Sequence, residues 1–363
     1  MSFTRPILVA LPLDHETGDI LATARELSRR LAAPLLPVHA LGWRPIETDA
    51  GRIERTGAVR DQLEAHLAPL LDEGVLVLEP VIERGPPDEL VLDVAGSHNA
   101  QLIVTGGGGP PTVRRWVIGS VAERIVRGAH VPVWLARGVV PSGAVVLCPV
   151  DMSPQSRVGL VAALRMARHF DAKLVVLCVL PESDGFFVDE DVLLSRLEHD
   201  EAKARAELER FVAASDPSGV DVELRVTIGK PADRIVEASD EARLIVVASR
   251  GFDLLKPGAI GSVIERVLRN SRCSALTLRD LDEGRERRER SLARLAELTG
   301  KAREHLDAGA AERALPLLQM AASRAPANAA IQELLAEALE AVGRTEEADG
   351  RRKLAAMIRE NFA

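Results

Sequence analysis

Gly119-Ser120-Val121-Ala122-Glu123-Arg124 and Gly261-Ser262-Val263-Ile264-Glu265-Arg266 spell almost the same hexapeptide, 142 positions apart. The same offset relates Leu102-Ile103-Val104 to Leu244-Ile245-Val246, and Gly109 to Gly251. Nearer the start of each unit, Leu11-Pro12-Leu13-Asp14 matches Cys148-Pro149-Val150-Asp151 at an offset of 137. One unit is therefore duplicated, with a few residues gained or lost between its ends. The period is domain-sized, which indicates tandem domains rather than a solenoid.

Each unit alternates short continuous apolar runs with longer amphipathic segments. The runs are Ile7–Leu11, Leu35–Ala40, Val75–Val81, Leu102–Thr105 and Val131–Leu135 in the first unit. In the second they are Val145–Val150, Lys173–Val179, Val220–Ile228, Leu244–Val247 and Ala275–Leu278. Unbroken apolar strands are buried on both faces, as in a parallel sheet covered by helices. Strand–helix alternation then gives right-handed crossovers and a doubly wound α/β sheet. Ligands of such sheets bind beyond the carboxyl ends of the strands where the strand order reverses. The loops after the first and fourth strands are the places to search.

After the fourth strand of the first unit stand Gly106-Gly107-Gly108-Gly109, and nine residues later Gly119 and Ser120 open an amphipathic segment. Glycine lets the backbone take positive φ and approach a ligand closely. A helix opening offers unpaired N–H groups and the positive end of the dipole, which suits phosphate. Ser120 adds a hydroxyl donor, and Asp14 can accept from a sugar hydroxyl or base amine.

The spacing G-x-x-G, nine residues, G-S resembles the ATP-binding fingerprint of the universal stress protein family, and the apolar strand ending in Pro-x-Asp resembles that family's opening. The resemblance spans roughly 1–138 and 142–280, and spacing, flanking strand, following helix and the GSVxER continuation agree twice. It implies two tandem open parallel-sheet domains of the adenine nucleotide alpha hydrolase-like type. It implies a nucleotide whose ribose and adenine lie near the first-strand aspartate and whose phosphates lie on the glycine loop and helix-start serine. Carried over, these roles fall on Asp14, Gly106, Gly109, Gly119, Ser120 and Val121, and on Asp151, Ala248, Gly251, Gly261, Ser262 and Val263. The implied ligand is ATP or another adenine nucleotide, alone or with Mg2+. The family also implies an internal pseudo-dimer in which Val131–Leu135 pairs with Ala275–Leu278, which would satisfy two exposed sheet edges within one chain; a homodimer is a further expectation.

The second unit departs once, with Ala248 at the first glycine position. A Cβ there costs roughly 1 kcal/mol or more if the residue must take positive φ, and nothing if it ends an extended strand. In the first unit Pro110 and Pro111 remove two N–H donors after Gly109. Arg114, Arg115 and Lys256 in the intervening loops either face phosphate or sit on a solvated surface. His39, at a strand end near the presumed crevice, reads as a structural histidine. The chain has no G-x-G-x-x-G after its first strand and no G-x-x-x-x-G-K-[ST], so neither a Rossmann fingerprint nor a P-loop applies.

Bulk properties narrow the classes. Of 363 residues, 47% are hydrophobic and the formal charge is −8; general nucleic-acid binding needs the opposite balance. Residues 283–363 hold 14 Lys+Arg and 14 Asp+Glu, so the whole charge lies in 1–282. Three widely spaced cysteines read as buried reduced thiols. No apolar run approaches a membrane span or a signal peptide, so the expectation is a cytoplasmic protein.

Past residue 283 the pattern changes to an all-α tail. Gly309 recurs as Gly343, Ala302 as Ala336, Ala314 as Ala348 and Ala321 as Ala355, a period of 34. This resembles the tetratricopeptide repeat (TPR), although His305 and Arg352 stand where large apolar residues are usual. Two repeats rarely bury their own faces. The tail is therefore expected to dock on the second α/β domain, to pair with another copy, or to hold a protein partner through residues 295–360.

The sequence reading is thus of three parts: 1–138, 142–280 and 283–363. The resemblance implies a nucleotide-binding stress-response regulator. An adaptor with degenerate pockets is the first alternative and a slow ATPase the second. The absence of a clear general base favours binding over hydrolysis.

Overall fold

The computed structural model describes residues 5–42, 49–108, 119–181, 190–248, 262–278, 281–325 and 328–362. Gly109, Pro110, Pro111, Arg114, Arg115, Gly251, Lys256 and Gly261 lie outside the described residues.

The first half runs β1 (Ile7–Ala10), α1 (Thr17–Leu31), β2 (Leu35–Leu41), α2 (Asp49–Asp72), β3 (Val81–Arg84), α3 (Pro87–Ser97), β4 (Leu102–Gly106), α4 (Ser120–Gly128) and β5 (Val133–Ala136). The second repeats it as β6 (Val145–Val150), α5 (Pro154–Phe170), β7 (Lys173–Leu180), α6 (Glu190–Ala213), β8 (Val222–Ile228), α7 (Pro231–Ser239), β9 (Leu244–Ala248), α8 (Ser262–Asn270) and β10 (Ser274–Leu278). A helical region follows: α9 (Leu281–Asp307), α10 (Ala311–Arg324), α11 (Ala329–Ala341) and α12 (Thr345–Phe362).

The apolar runs became strands as expected, with one shift. The run Val75–Val81 was expected to be the third strand, but β3 starts only at Val81; Val77 makes an isolated bridge to Leu35. Pro80 lacks the N–H a ladder needs, so regular pairing begins after it.

By contacts the chain divides into two compact units: residues 1–14, 27–104 and 281–363, and residues 15–26 and 105–280. In the first unit β1 pairs in parallel with β2 and with β4, and β2 with β3. In the second unit β6 pairs in parallel with β7 and β9, β7 with β8, and β9 with β10. The order reverses beside β1 and again beside β6, which creates the two switch points the alternation calls for. The strands are nearly dry: Ile7, Leu8, Val9, Ile103 and Val104 are fully buried, as are Leu244, Ile245 and Val246.

The expected internal pairing is present. β5 and β10 run antiparallel, with Leu135 opposite Ala275, Trp134 opposite Leu276 and Val133 opposite Thr277. Trp134 is fully buried there, and its ring lies 6.0 Å from that of Phe170.

Of the three placements expected of the tail, the first is not found. Its helices belong to the first unit, where α9 and α10 pack against α3, rather than docking on the second α/β half. Twenty-seven residues of α9 give a span of about 40 Å at the α-helical rise, enough for the tail to reach a surface that is distant in sequence. Arg351 of α12 bonds Glu79 just before β3 at 2.9 Å. A cavity of about 160 Å³ is walled by Val81 and Ile82 on one side and Gln319, Ala322 and Leu335 on the other. β3 lies at a sheet edge, and covering an edge removes a template for association.

The 34-residue period has a geometric counterpart. Gly309 and Gly343 take φ +69° and +81°. The amides that follow them close matching turns, Ala310 to the His305 carbonyl and Arg344 to the Leu339 carbonyl, both at 2.8 Å. Positive-φ glycine with such a bond is a helix C-terminal stop. Ala302, Ala314, Ala321 and Ala348 are fully buried and Ala336 and Ala355 nearly so, where small side chains let helices approach closely.

Candidate functional site

The glycine loop after β4 is built from three differently constrained residues. Gly106, the last residue of β4, is buried, and a Cβ there would collide with the carboxylate of Glu16 and lie 3.5 Å from Ile20 Cδ1. Gly107 donates its N–H to the Ala136 carbonyl at 2.9 Å. A Cβ on it would stand 2.5 Å from Arg137 Cγ and 2.8 Å from that carbonyl. Gly108 takes φ +98°, a conformation that side chains resist.

Beyond the loop, Gly119 is the N-cap of α4 with extended backbone (φ −63°, ψ 148°) and no side-chain cap. Among the described residues nothing stands within 4 Å of where its Cβ would be, and Gly119 and Ser120 are both exposed. The first amides of a helix have no intrahelical partner, so this opening offers donors that the helix itself does not satisfy. Val121 is half-buried behind it.

In the second half Ala248 closes β9 opposite Leu278, and its φ is not among the positive ones. It ends an extended strand, where alanine costs nothing. The two halves solve the same crossing by exchanging bulk. Strand pairing sets the correspondence: Ile7 pairs with Leu35 and Leu102, and Val146 with Leu174 and Leu244. Ile20 therefore matches Gly159, as Gly106 matches Ala248. A Cβ on Gly159 would lie 3.3 Å from Ala248 N and 3.7 Å from Ala248 Cβ. Where the strand residue has no side chain the helix carries isoleucine; where it has a methyl the helix carries glycine.

That correspondence puts β1 and β6 at an offset of 139, not the 137 read from the two Pro-x-Asp motifs. Leu13 and Met152, 139 apart, both take φ +59°. Asp151 is thus equivalent to Pro12, and Asp14 to Ser153. Asp151 Oδ1 accepts from the Ser153 N–H at 3.0 Å, and Ser153 caps α5 by accepting from the Ser156 N–H at 3.1 Å. Asp14 is exposed, two residues past Pro12. Ser262 opens α8 and is exposed, with Val263 half-buried. His39 Nδ1 donates to the Leu11 carbonyl at 2.8 Å, the structural role expected of it.

Two residues at the loop carried no motif. Glu16 lies against Gly106. Arg137, directly after β5, is only 9% exposed. Its Nε donates to the Gly107 carbonyl at 2.8 Å, Nη1 to the Ser271 carbonyl at 2.8 Å and hydroxyl at 3.0 Å, and Nη2 to the Leu268 carbonyl at 2.6 Å. Burial pushes its guanidinium down to about 10, with Cys273 and Glu16 pulling the other way. The repeat itself held a signal for it, since Arg279 stands 142 positions on; Arg279 lies outside the described residues. The cysteines are buried and unbridged, and burial raises Cys148 to about 12 and Cys273 to about 11, far from the range of a reactive thiolate.

Together these features define a class: a duplicated, doubly wound α/β protein joined through its last strands, with a glycine loop and an open helix start after a central strand. The universal stress protein family model matches residues 4–137 and 144–279, and the chain belongs to that family. A universal stress protein of Mycobacterium tuberculosis is 31% identical over 192 residues, covering 50% of this chain and 63% of that one. The chain thus spans under two thirds of that relative. A universal stress protein of Methanocaldococcus jannaschii is 28% identical over 139 residues, 37% of this chain and 81% of its own length. Among solved structures, a protein of unknown function from Pseudomonas aeruginosa aligns with TM-score 0.59 at 19% identity, covering 80% of this chain and 98% of that one. A universal stress protein from Archaeoglobus fulgidus aligns with TM-score 0.57 at 18% identity, covering 76% and 98%. These likenesses bear on fold.

Proposed function

We propose that the chain binds ATP or a related adenine nucleotide and works as a ligand-biased regulator in the stress response. The observation that carries this is the opening of α4. Gly119 is exposed and has no side-chain cap among the described residues, and the first amides of the helix behind it have no intrahelical partner. The phosphates belong at Gly119, Ser120 and Val121, with Gly109 completing the loop. At Gly106 the Glu16 carboxylate repels phosphate and accepts from hydroxyl or amine donors, so the sugar or base lies toward that end; Asp14 keeps the ribose-side role that the family resemblance gives it. The second site comprises Asp151, Ala248, Gly251, Gly261, Ser262 and Val263. Its aspartate stands nearer the strand tip than Asp14 does. Among the described residues no three acidic, histidine or cysteine side chains gather. Mg2+, if carried, would be held through phosphate and water, as this ion commonly is.

The domain limits proposed remain 1–138, 142–280 and 283–363. The matched geometry at Gly309 and Gly343 favours reading the tail as two TPR-like repeats that present a surface to a protein partner.

The test is Gly119→Trp. The open space at this residue accepts the ring without disturbing the core, so the protein should fold normally and lose nucleotide at the first site. Titration calorimetry with ATP checks it. Unchanged stoichiometry and affinity would refute the assignment.

A further inference from the structure

We propose that Arg137 is a positioning residue: it holds the first glycine loop to the C-terminal end of α8, and so makes the affinity of the first site depend on the helix that opens the second. The proposal rests on the nucleotide reading above, but it concerns a residue which that reading does not use.

The chemistry of the side chain explains the arrangement. Arginine carries five N–H donors in a rigid fork and keeps its charge. Here the fork spans two elements: one arm reaches the Gly107 carbonyl and the other two reach Leu268 and Ser271, at and just beyond the last turn of α8. The carbonyls ending a helix form the negative end of its dipole, so a cation suits them. A buried cation tolerates no lost partner. If α8 slid or tilted, either its carbonyls or the Gly107 carbonyl would leave the guanidinium. The main chain of Arg137 is fixed as well, because its N–H donates to Ser274 Oγ at 3.0 Å and that hydroxyl donates to the Gly138 carbonyl at 2.9 Å. Gly107 fits because the Arg137 side chain fills the space a Cβ would need.

An independent set of contacts ties the other part of the first site to the same helix. Glu123 of α4 pairs with Arg127 at 2.8 Å and with Arg269 of α8 at 3.2 Å. Glu265 pairs with Arg269 at 2.8 Å and with Arg127 at 3.4 Å. The four residues form a ring with the symmetry of the repeat, Glu123 matching Glu265 and Arg127 matching Arg269. Loop and helix of the first site are therefore both fastened to α8. Ser262, the serine of the second G-S pair, stands at the far end of α8. A ligand that shifts this start shifts the anchor of the first loop.

The experiment uses the full chain and ATP, titrated by calorimetry. Gly261→Trp closes the second site and leaves the first to be read alone. In that background Arg137→Lys, which keeps the charge but loses the fork, should weaken ATP at least tenfold. In the chain with both sites open, filling one site should change the affinity of the other at least fivefold, and Arg137→Lys should abolish that dependence. A merely structural arginine would lower the melting temperature and leave both readouts unmoved; that result overturns the proposal. Sites that are independent in the unaltered chain overturn it too. No ATP bound by the unaltered chain overturns the nucleotide reading itself, which separates the two failures. Hydrogen exchange needs no Arg137 variant: ATP in the Gly261→Trp protein should slow exchange at the Leu268–Cys273 amides, and unchanged exchange there is again a refutation.

Discussion

Gly107→Ala isolates what the loop owes to packing. Gly107 does not take positive φ, so an alanine meets no conformational penalty and its cost is steric. The new methyl would lie 2.5 Å from Arg137 Cγ, 2.9 Å from Arg137 Nε and 2.8 Å from the Ala136 carbonyl. That carbonyl belongs to β5 and accepts the Gly107 N–H itself, so it cannot withdraw without losing a bond. Forcing a methylene into a filled site costs roughly 1–3 kcal/mol. Displacing Arg137 breaks its bond to the Gly107 carbonyl, and a hydrogen bond to a charged group contributes about 1.5–3 kcal/mol. The sum, roughly 2.5–6 kcal/mol, is a large share of a total stability of roughly 5–15 kcal/mol. Gly108→Ala, at φ +98°, should cost only the backbone term of about 1–2 kcal/mol. Gly119→Ala, in open space with extended backbone, should be close to neutral. Urea unfolding followed by circular dichroism ranks the three variants. The reasoning fails if Gly107→Ala unfolds within about 1 kcal/mol of the unaltered protein, which lies below the packing term alone, or costs less than Gly108→Ala, which lies below the sum of the packing and hydrogen-bond terms.

Two further outcomes follow from the geometry. The Glu223 carboxyl is held down to about 2 by hydrogen bonds from Arg225 and then Lys173; an acid depressed in the folded state stabilises above its ordinary value of 4.5 and loses that contribution as pH falls toward 2. Urea midpoints should therefore drop between about pH 5 and pH 3, and drop less in Glu223→Gln; equal slopes would refute the linkage. Leu318 is fully buried in the cluster formed by the tail helices, so Leu318→Ala should cost about 2–5 kcal/mol and raise protease cleavage within residues 281–362. Cleavage at the unaltered rate would mean that the tail is not held by that core.

The sequence by itself determined whatever depends on local pattern. Continuous apolar runs such as Leu102–Thr105 and Leu244–Val247 declared parallel strands, because a strand covered on both faces has no polar side to alternate with. The hexapeptides at Gly119 and Gly261 declared the duplication, and the family resemblance they carry implied that Val131–Leu135 pairs with Ala275–Leu278; the antiparallel direction came from the structure. The alanines and glycines repeating every 34 residues marked the helix crossings and stops of the tail. Tertiary structure alone decided the rest. Two Pro-x-Asp motifs look equivalent along the chain, yet pairing of β1 with β2 and β4, and of β6 with β7 and β9, sets them two residues out of step, since ladder hydrogen bonds and not motif spelling fix register. Ala248 looks like a damaged glycine until Gly159 is seen across from it. Glu16 and Arg137 carry no local signature, because their meaning lies in Gly106, Gly107 and the end of α8, contacts from 30 to 134 residues away in the case of Arg137. The tail joined the first half rather than its neighbour in sequence because the covered surface was there, and a helix the length of α9 removes sequence distance as a constraint.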